Sequence, residues 1–590
     1  MNDFLKYTLA SLLGVVLAGI LSVVMSLLVL AGVAASGESE VTIRENSILM
    51  LNLDGELAER AENIPFSKFL SNGIETYGLD DILNSIRKAK ENDHIRGIYL
   101  QPKSFSASFA SLEAIRRALL DFKESGKFVV AYADHYTQGM YYLASVADKL
   151  IANPQGSIYW HGMAGQVIYF KNLLEKLGVE MQVFKVGTYK SAVEPFIATE
   201  MSDANREQIT AYLTSIWNQL CADISVSRSI PVDSLNALAE AMQDVQPAES
   251  YVNTGLVDTL LYKDGVRDYL KQLTDSDEDQ SLRTVSVSEM KNVRRNVPKD
   301  KSGNVLAVYY AFGEIVDEPS QYAAFEKNIV LENTIKDLRA LRDDESIKAV
   351  VLRVNSPGGS AYASEQIWNE VVKLKEKKPV VVSMGDYAAS GGYYISCAAD
   401  AIVAEATTLT GSIGIFGTFP CAEKLLHDKL GLHVSVVKTH KFADLGDYTH
   451  AMNNDERELL QGYINRGYEL FTRRCAEGRN MDIDSLRQIA EGRVWTGTTA
   501  KKLGLVDEIG GLEKALEIAA EKAAMESYSV VDYPENETNW LQLLDERKTD
   551  YINGSLKQLL GDHAECFWYL KNIGSMSRVQ ARLPFVIALH

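Results

Sequence analysis

The sequence predicts an α/β protein: two tandem copies of one mostly parallel-sheet domain behind a single N-terminal transmembrane helix. Three observations carry that prediction. A shift of 252 positions puts Leu100 on Leu352, Glu113 on Glu365, Ile115 on Ile367, Asp134 on Asp386 and Gly139-Met140-Tyr141-Tyr142 on Gly391-Gly392-Tyr393-Tyr394. One fixed offset held over tens of residues marks an internal duplication, because chance similarity does not hold register. Within each copy, short apolar runs alternate with amphipathic stretches, the β–α alternation of a parallel sheet covered by helices. Ahead of both copies, no charged residue stands between Lys6 and Glu38.

The elements follow in chain order. Leu9 to Ala34 is almost wholly apolar, longer than the roughly 20 residues that cross a bilayer and longer than the apolar core of a cleavable signal peptide. Lys6 and the terminal amine on one side, and Glu38 and Glu40 on the other, favour a cytoplasmic amino end. The bulk then lies outside, in a periplasm where the cell has one. In the first copy Ile48–Leu53, Gly97–Leu100 and Phe128–Ala131 read as strands, and Arg87–Asp93 as a solvated helix face. Thr274–Gln280 is acidic and apolar-poor and is followed by the basic Lys291–Arg295 and Lys299–Lys301, a linker composition. In the second copy Val305–Phe312, Ala349–Val354, Val380–Met384 and Ala401–Ala404 read as buried strands, and Asn328–Arg342, Ala361–Glu376 and Ser390–Ala399 as helices. The last segment has no counterpart in the first copy, and Trp540, Phe567, Trp568 and Tyr569 argue that it packs. The resulting scheme is an anchor over 1–40, a first copy over 41–273, a linker over 274–303, a second copy over 304–526 and an extension over 527–590.

Composition narrows function. The net charge of −19 repels nucleic acid and anionic lipid, so broad phosphate binding is excluded. Cys221, Cys397, Cys421, Cys475 and Cys566 are scattered, with no CxxC or Cys/His spacing, so neither a disulfide framework nor a zinc site is expected.

The two copies differ where chemistry would sit. Ser390 stands where the first copy has Gln138, and Lys190 stands where alignment from Lys185 and Lys438 gives the second copy Ala443. A serine hydroxyl needs a base to become a nucleophile. His135, His161, His427, His433, His440 and His450 lie in nearby segments, but none falls in a triad motif, and Gly-x-Ser-x-Gly is absent around Ser390. A lysine serves instead when burial disfavours its charged form. Ser390 follows a strand and a Gly385-Asp386-Tyr387 turn and opens a helix, a place that also suits a plain N-cap serine. Gly358-Gly359 ends another strand, where bare backbone N–H groups could hold an oxyanion or simply make a tight turn. Their first-copy counterparts are Ser106 and Ala107. Lys190 reads equally as a solvated loop residue, and Ser412 as a hydroxyl that orients a lysine amine or as part of a turn.

The motifs Asn355-Ser356-Pro357-Gly358-Gly359, Asp386-Tyr387-Ala388-Ala389-Ser390-Gly391-Gly392-Tyr393-Tyr394, Thr410-Gly411-Ser412-Ile413-Gly414 and Lys185-Val186-Gly187-Thr188-Tyr189-Lys190-Ser191-Ala192-Val193-Glu194-Pro195-Phe196 closely resemble the signal peptide peptidase A (protease IV) family in its long, duplicated form. The resemblance implies a Clp protease/crotonase-like fold of repeated ββα units in each half, a membrane anchor and a bowl-shaped homotetramer. It implies Ser390 as nucleophile, Lys190 as general base and acid, Gly359 in the oxyanion hole and Ser412 in contact with the lysine; Gly391 N–H is a candidate second oxyanion donor. The implied substrates are cleaved signal peptides and other hydrophobic peptides, with no cofactor or metal and no nucleic-acid partner. The implied place is the inner membrane, single-pass, with the catalytic part facing the periplasm. Two rival readings are a non-catalytic membrane scaffold and a crotonase-type acyl-CoA enzyme. An outward-facing anchor speaks against the second, because coenzyme A is mainly cytoplasmic. Whether Lys190 would meet Ser390 within one chain or across a subunit boundary is left open.

Overall fold

β-Branched runs bounded by Gly, Pro and Asp become the centres of two sheets. The computed structural model describes residues 7, 11–22, 24–25, 40–61, 76–276, 281–295, 300–319, 328–534 and 578–583. The first sheet has seven strands and is parallel throughout, in the order Thr76–Gly78, Ser47–Ala58, Ile95–Ser106, Phe128–Tyr136, Lys149–Ile158, Thr259–Leu260, with Thr284–Ser286 added beside Ser47–Ala58. The second has eight strands and is parallel through its centre, where Ile347–Ser356 lies between Val305–Phe312 and Val380–Ala389. Val350, Val351, Val380, Val381 and Val382 are fully buried there, as a sheet covered on both faces requires. Helices supply the cover through one apolar stripe each; Leu331–Asp343 buries Leu331, Thr334, Leu338 and Leu341 at helical spacing.

The duplication is a duplication of scaffold contacts. Tyr141 and Tyr393 occupy equivalent places, and their hydroxyls donate to the Leu256 and Leu505 carbonyls at 2.9 and 3.0 Å. Arg228–Asp258 and Arg479–Asp507 form equivalent ion pairs at 2.7 and 2.5 Å. Each aspartate also accepts from a strand N–H, of Leu150 and Ile402 respectively. The Gly-x-Tyr-Tyr motif that exposes the repeat therefore locks a helix to a loop.

Several elements depart from expectation. Asn328–Val330 is a strand, and its helix starts only at Leu331, because Ile329 and Val330 suit the sheet edge they pair with. The helix expected over Ser390–Ala399 runs Gly391–Ser396; Ser390 precedes it at φ 55° and ψ −112°, outside helical space. The stretch read as a linker contains the strand Thr284–Ser286 and the helix Val287–Lys291, closed by a Ser286/Glu289 capping box. Val285, Val287 and Met290 are buried, and this apolar contribution ties the stretch to the first sheet. In the expected extension, Ser529–Tyr533 joins the second sheet beside Val305–Phe312, whereas Trp540, Phe567, Trp568 and Tyr569 lie outside the described residues. Residues 11–22 are helical; the remainder of Leu9–Ala34 is described only at 24–25, and among the described residues no helix is long and apolar enough to cross a membrane.

The two copies meet through buried polar contacts. Arg353 forks onto Glu59 at 2.7 and 3.0 Å, with both side chains buried. Arg117 forks onto Glu405 at 2.7 and 2.6 Å. Ser108 and Ser111, at the start of helix Phe109–Lys123, donate to Asp386 in the strand Val380–Ala389, which runs past the expected turn up to Ser390. A six-stranded sheet completes the junction, in the order Asn328–Val330, Glu314–Val316, Gly358–Ser360, Val579–Arg582, Phe416–Cys421, Glu180–Lys185. It joins first-copy strand Glu180–Lys185 to second-copy strand Phe416–Cys421 along six antiparallel pairs.

Candidate active site

That pairing brings Lys190 to Ser390. Strand Glu180–Lys185 ends five residues before Lys190, and the intervening loop is clamped by the second copy: Tyr189 N–H donates to the Glu491 carbonyl at 3.0 Å, and Thr188 N–H to the Glu491 carboxylate. Gln208 secures the other side, donating to the Tyr189 carbonyl and Ser191 Oγ while accepting from Val494 N–H. Gly492 is required here: a Cβ on it would fall 2.7 Å from the Lys190 Cβ, and its φ is +77°.

Lys190 Nζ lies 2.8 Å from Ser390 Oγ, 200 residues away in the same chain. It also lies 3.0 Å from Ser412 Oγ and donates to the Ser412 carbonyl at 3.1 Å. The alternative of a solvated loop lysine is thus not what the fold adopts: Lys190, Ser390 and Ser412 are all fully buried. The partners of the amine are two hydroxyls and a carbonyl, with no carboxylate among them, and the Phe416 ring stands 6.0 Å off. Burial alone holds the Lys190 pKa well below the usual lysine value, because a desolvated ammonium without a counter-charge is costly. A neutral amine beside a serine hydroxyl can take its proton.

Ser390 does not cap its helix; its side chain makes no bond to the first turn. Its N–H instead donates to the Gly411 carbonyl at 2.8 Å, and its positive φ turns Oγ toward the lysine. Such strain in a non-glycine residue is held only by surrounding structure; Ser412, at φ 50°, shares it. The glycines lie on the other side. Gly358 has φ +100° and Gly359 φ +155°, and a Cβ on Gly359 would fall 2.1 Å from the Ile315 carbonyl oxygen. A point beside Gly358 is 2.8 Å from Gly391 N, so the backbones of Gly358–Gly359 and Gly391 converge next to Ser390.

Lys190, Ser390 and Ser412 are therefore brought together, and Gly359 follows the Gly358 that abuts Gly391. Among the described residues no histidine is a hydrogen-bond partner of Ser390; His427 contacts Asp428 and His450 approaches Asp444. Sequence reasoning missed Glu491, Gly492 and Gln208, which seat Lys190. They carry no motif, and only the fold reveals their proximity.

Comparison with known proteins identifies the family. The model for Peptidase family S49 matches twice, over residues 121–277 and 372–526, and that for Clp protease matches over 324–408. Protease 4 of Salmonella typhi is 38% identical over 520 residues, covering 87% of this chain and 82% of that protein. Protease 4 of Haemophilus influenzae is 35% identical, covering 92% and 90%, and the chloroplastic serine protease SPPA of Arabidopsis thaliana is 33% identical, covering 82% and 70%. A solved ClpP1 of Listeria monocytogenes matches 35% of the chain at 19% identity and a TM-score of 0.24, too loose a superposition to bear on the fold. With two family matches at the two copies and this agreement along nearly the whole length, the chain belongs to peptidase family S49 and is one of its serine proteases.

Proposed function

We propose that this protein is a membrane-anchored serine endopeptidase with a Ser390–Lys190 dyad, and that it degrades cleaved signal peptides and other hydrophobic peptides. The observation that carries this reading is the 2.8 Å contact between Lys190 Nζ and Ser390 Oγ, both fully buried. Neutral Lys190 takes the Ser390 proton as Oγ attacks the scissile carbonyl. Gly359 and Gly391 N–H groups hold the developing oxyanion, which a preorganised pair of backbone donors stabilises without reorganisation. Protonated Lys190 gives its proton to the leaving amine, and water activated by the same lysine releases the acyl group. Ser412 keeps the amine aimed through both its hydroxyl and its carbonyl.

Substrate class follows from the surroundings and from relatives. A peptide that takes the place of Val579–Arg582 beside Gly358–Ser360 pairs there in extended form, a recognition mode that depends on backbone rather than on charge. The uncharged N-terminal stretch would hold the site beside the bilayer where apolar peptides are released, with the catalytic part on the periplasmic side of the inner membrane. A bowl-shaped homotetramer belongs to the same reading. The test is a fluorophosphonate or acylating probe mapped by mass spectrometry on the detergent-solubilised chain. Labelling confined to Ser390 and lost in Lys190→Arg is the expected result, since a guanidinium does not become neutral. Labelling elsewhere, or retained labelling in Lys190→Arg, overturns the dyad.

A further inference from the structure

Lys190 is held less by its own backbone than by what grips its neighbours. Its N–H donates to the Gly187 carbonyl at 3.4 Å, longer than an ordinary N–H···O bond, and the 3₁₀ turn Ser191–Val193 that follows has no side-chain cap. The position of the amine therefore depends on Tyr189 and Ser191. Gln208 secures one side of them. On the other side residues 491–493 alternate between the two halves of the site. Tyr189 N–H donates to the Glu491 carbonyl at 3.0 Å, Gly492 N–H to the Ile413 carbonyl at 2.8 Å, and Ser412 N–H to the Arg493 carbonyl at 2.7 Å. The Arg493 backbone thus holds the serine that aims the lysine.

The Arg493 side chain turns back to the lysine loop. Nη1 donates to Tyr189 Oη at 3.0 Å and Nη2 to Glu207 Oε1 at 2.7 Å, while Tyr189 Oη donates to Glu207 Oε2 at 3.1 Å. The guanidinium carbon lies 4.5 Å from the centroids of both the Tyr189 and the Trp495 rings. Trp495 is itself fixed, its Nε1 donating to the Ile489 carbonyl at 2.9 Å. It belongs to the strand Val494–Thr496, which pairs with Leu409–Gly411, and the Gly411 carbonyl accepts from Ser390 N–H. One side chain therefore touches the residue before the base and a residue on the strand that backs the nucleophile. The Glu207 side chain is 55% exposed, so the ion pair contributes little to stability; what it fixes is geometry. A flat cation that forks and stacks at once is what a guanidinium offers and an ammonium does not.

We propose that Arg493 is a positioning residue for the reaction, a strut that sets Lys190 against Ser390 and Ser412 by bracing Tyr189 on Trp495. The proposal rests on the Ser390–Lys190 reading above. Without the brace the loop lifts, the Lys190–Ser390 contact lengthens and water reaches the amine. The titratable side chains on the elements packed around this loop are Tyr189, Glu194, Glu207, Tyr468, Glu491 and Arg493; among the described residues none of them is a hydrogen-bond partner of Lys190 Nζ. Burial is what lowers the pKa of the amine, so water that solvates the ammonium raises it, and the acid limb of kcat/KM moves up.

The test is the pH profile of kcat/KM on an apolar peptide for the full chain in detergent, with kcat and KM separated on the plateau and folding followed by circular dichroism. Arg493→Lys keeps the charge beside Glu207 and loses the fork and the stack. It should lower kcat at least about tenfold, leave KM within about twofold, and move the acid limb up by about half a pH unit or more. Tyr189→Phe changes no charge near neutral pH and should move the limb the same way by less; it carries the prediction by itself if Arg493→Lys is too slow to profile. An unmoved limb in both variants, with activity falling only as folded chain is lost, makes Arg493 a structural residue and overturns the proposal. A raised KM at constant kcat overturns it too, by making Arg493 a substrate contact. Ser390→Ala and Lys190→Arg are measured beside them. When both are inactive the dyad stands, and a failure at Arg493 concerns the strut alone; activity in either removes the dyad reading, and the strut with it.

Discussion

The two copies hold their strands and loops with the same contacts and differ in what stands at one helix start. In the second copy Ser390 faces Lys190. In the first, Gln138 fills the equivalent place, donating to the Gly162 carbonyl and accepting from the His161 and Gly162 N–H groups. That glutamine stitches its loop shut, and Ser106 and Ala107 stand where the second copy has Gly358 and Gly359. The first copy kept the scaffold and closed its pocket. What it contributes is Lys190, delivered across the junction by strand Glu180–Lys185. A duplicated fold can divide nucleophile and base because the rigid repeat places both and only the contact between repeats needs to be new.

The comparison breaks most visibly at the dyad. Ser390→Ala and Lys190→Ala should each lower kcat/KM on an apolar peptide by about 10⁴-fold or more, with circular dichroism unchanged; residual activity near wild type in either removes the division of labour. In the wild type, kcat/KM should rise with pH and level off above the Lys190 pKa, well below 10.5, because the base acts neutral. The junction comes next. Glu59→Ala leaves Arg353 buried without its partner and should cost about 3–5 kcal/mol in urea unfolding; a change under 1 kcal/mol would mean the copies are held by other contacts.

Ser412→Ala should reduce kcat by about tenfold with little change in KM. The acid limb of the pH profile should move down, since the ammonium loses a hydroxyl that solvates it. An unmoved limb would make Ser412 a packing residue. Lys190→Met tests the energetic side of the specialisation. The folded chain holds this amine's pKa below 10.5, so folding disfavours the protonated amine and the lysine destabilises the fold at pH values below the unfolded pKa. That penalty fades as pH rises toward the unfolded value. Lys190→Met should therefore be inactive yet more stable by about 1 kcal/mol at pH 7, with the gain shrinking toward pH 10. The smallest expected effect is none: Gln138→Ser in a Ser390→Ala background should restore no hydrolysis, because the first pocket has neither lysine nor glycine pair.

Much of the fold was legible because burial imposes pattern. The runs Val305–Phe312 and Val380–Met384 had to be strands in a covered sheet, and the fixed offset had to mean a repeated scaffold. Element ends were less legible. Ile329 and Val330 pair on a sheet edge that the helical pattern cannot reveal. The acidic composition of residues 274–280 hid the packing of Val285, Val287 and Met290 just after it. Of the site, Ser390, Lys190, Gly359 and Ser412 were readable from motifs, whereas Gln208, Glu491 and Gly492 were not, since their role is proximity alone.

The sequence by itself determined that the chain repeats, that each repeat builds a parallel sheet, and that a serine and a lysine were divided between the copies; local pattern and register suffice for those. Only the tertiary structure decided that Lys190 and Ser390 meet within one chain, that burial lowers the pKa of the amine, and that Val579–Arg582 pairs with Gly358–Ser360. Each of these depends on long-range strand pairing and on the exclusion of water, which arise from residues far apart in the chain and leave no periodic trace along it.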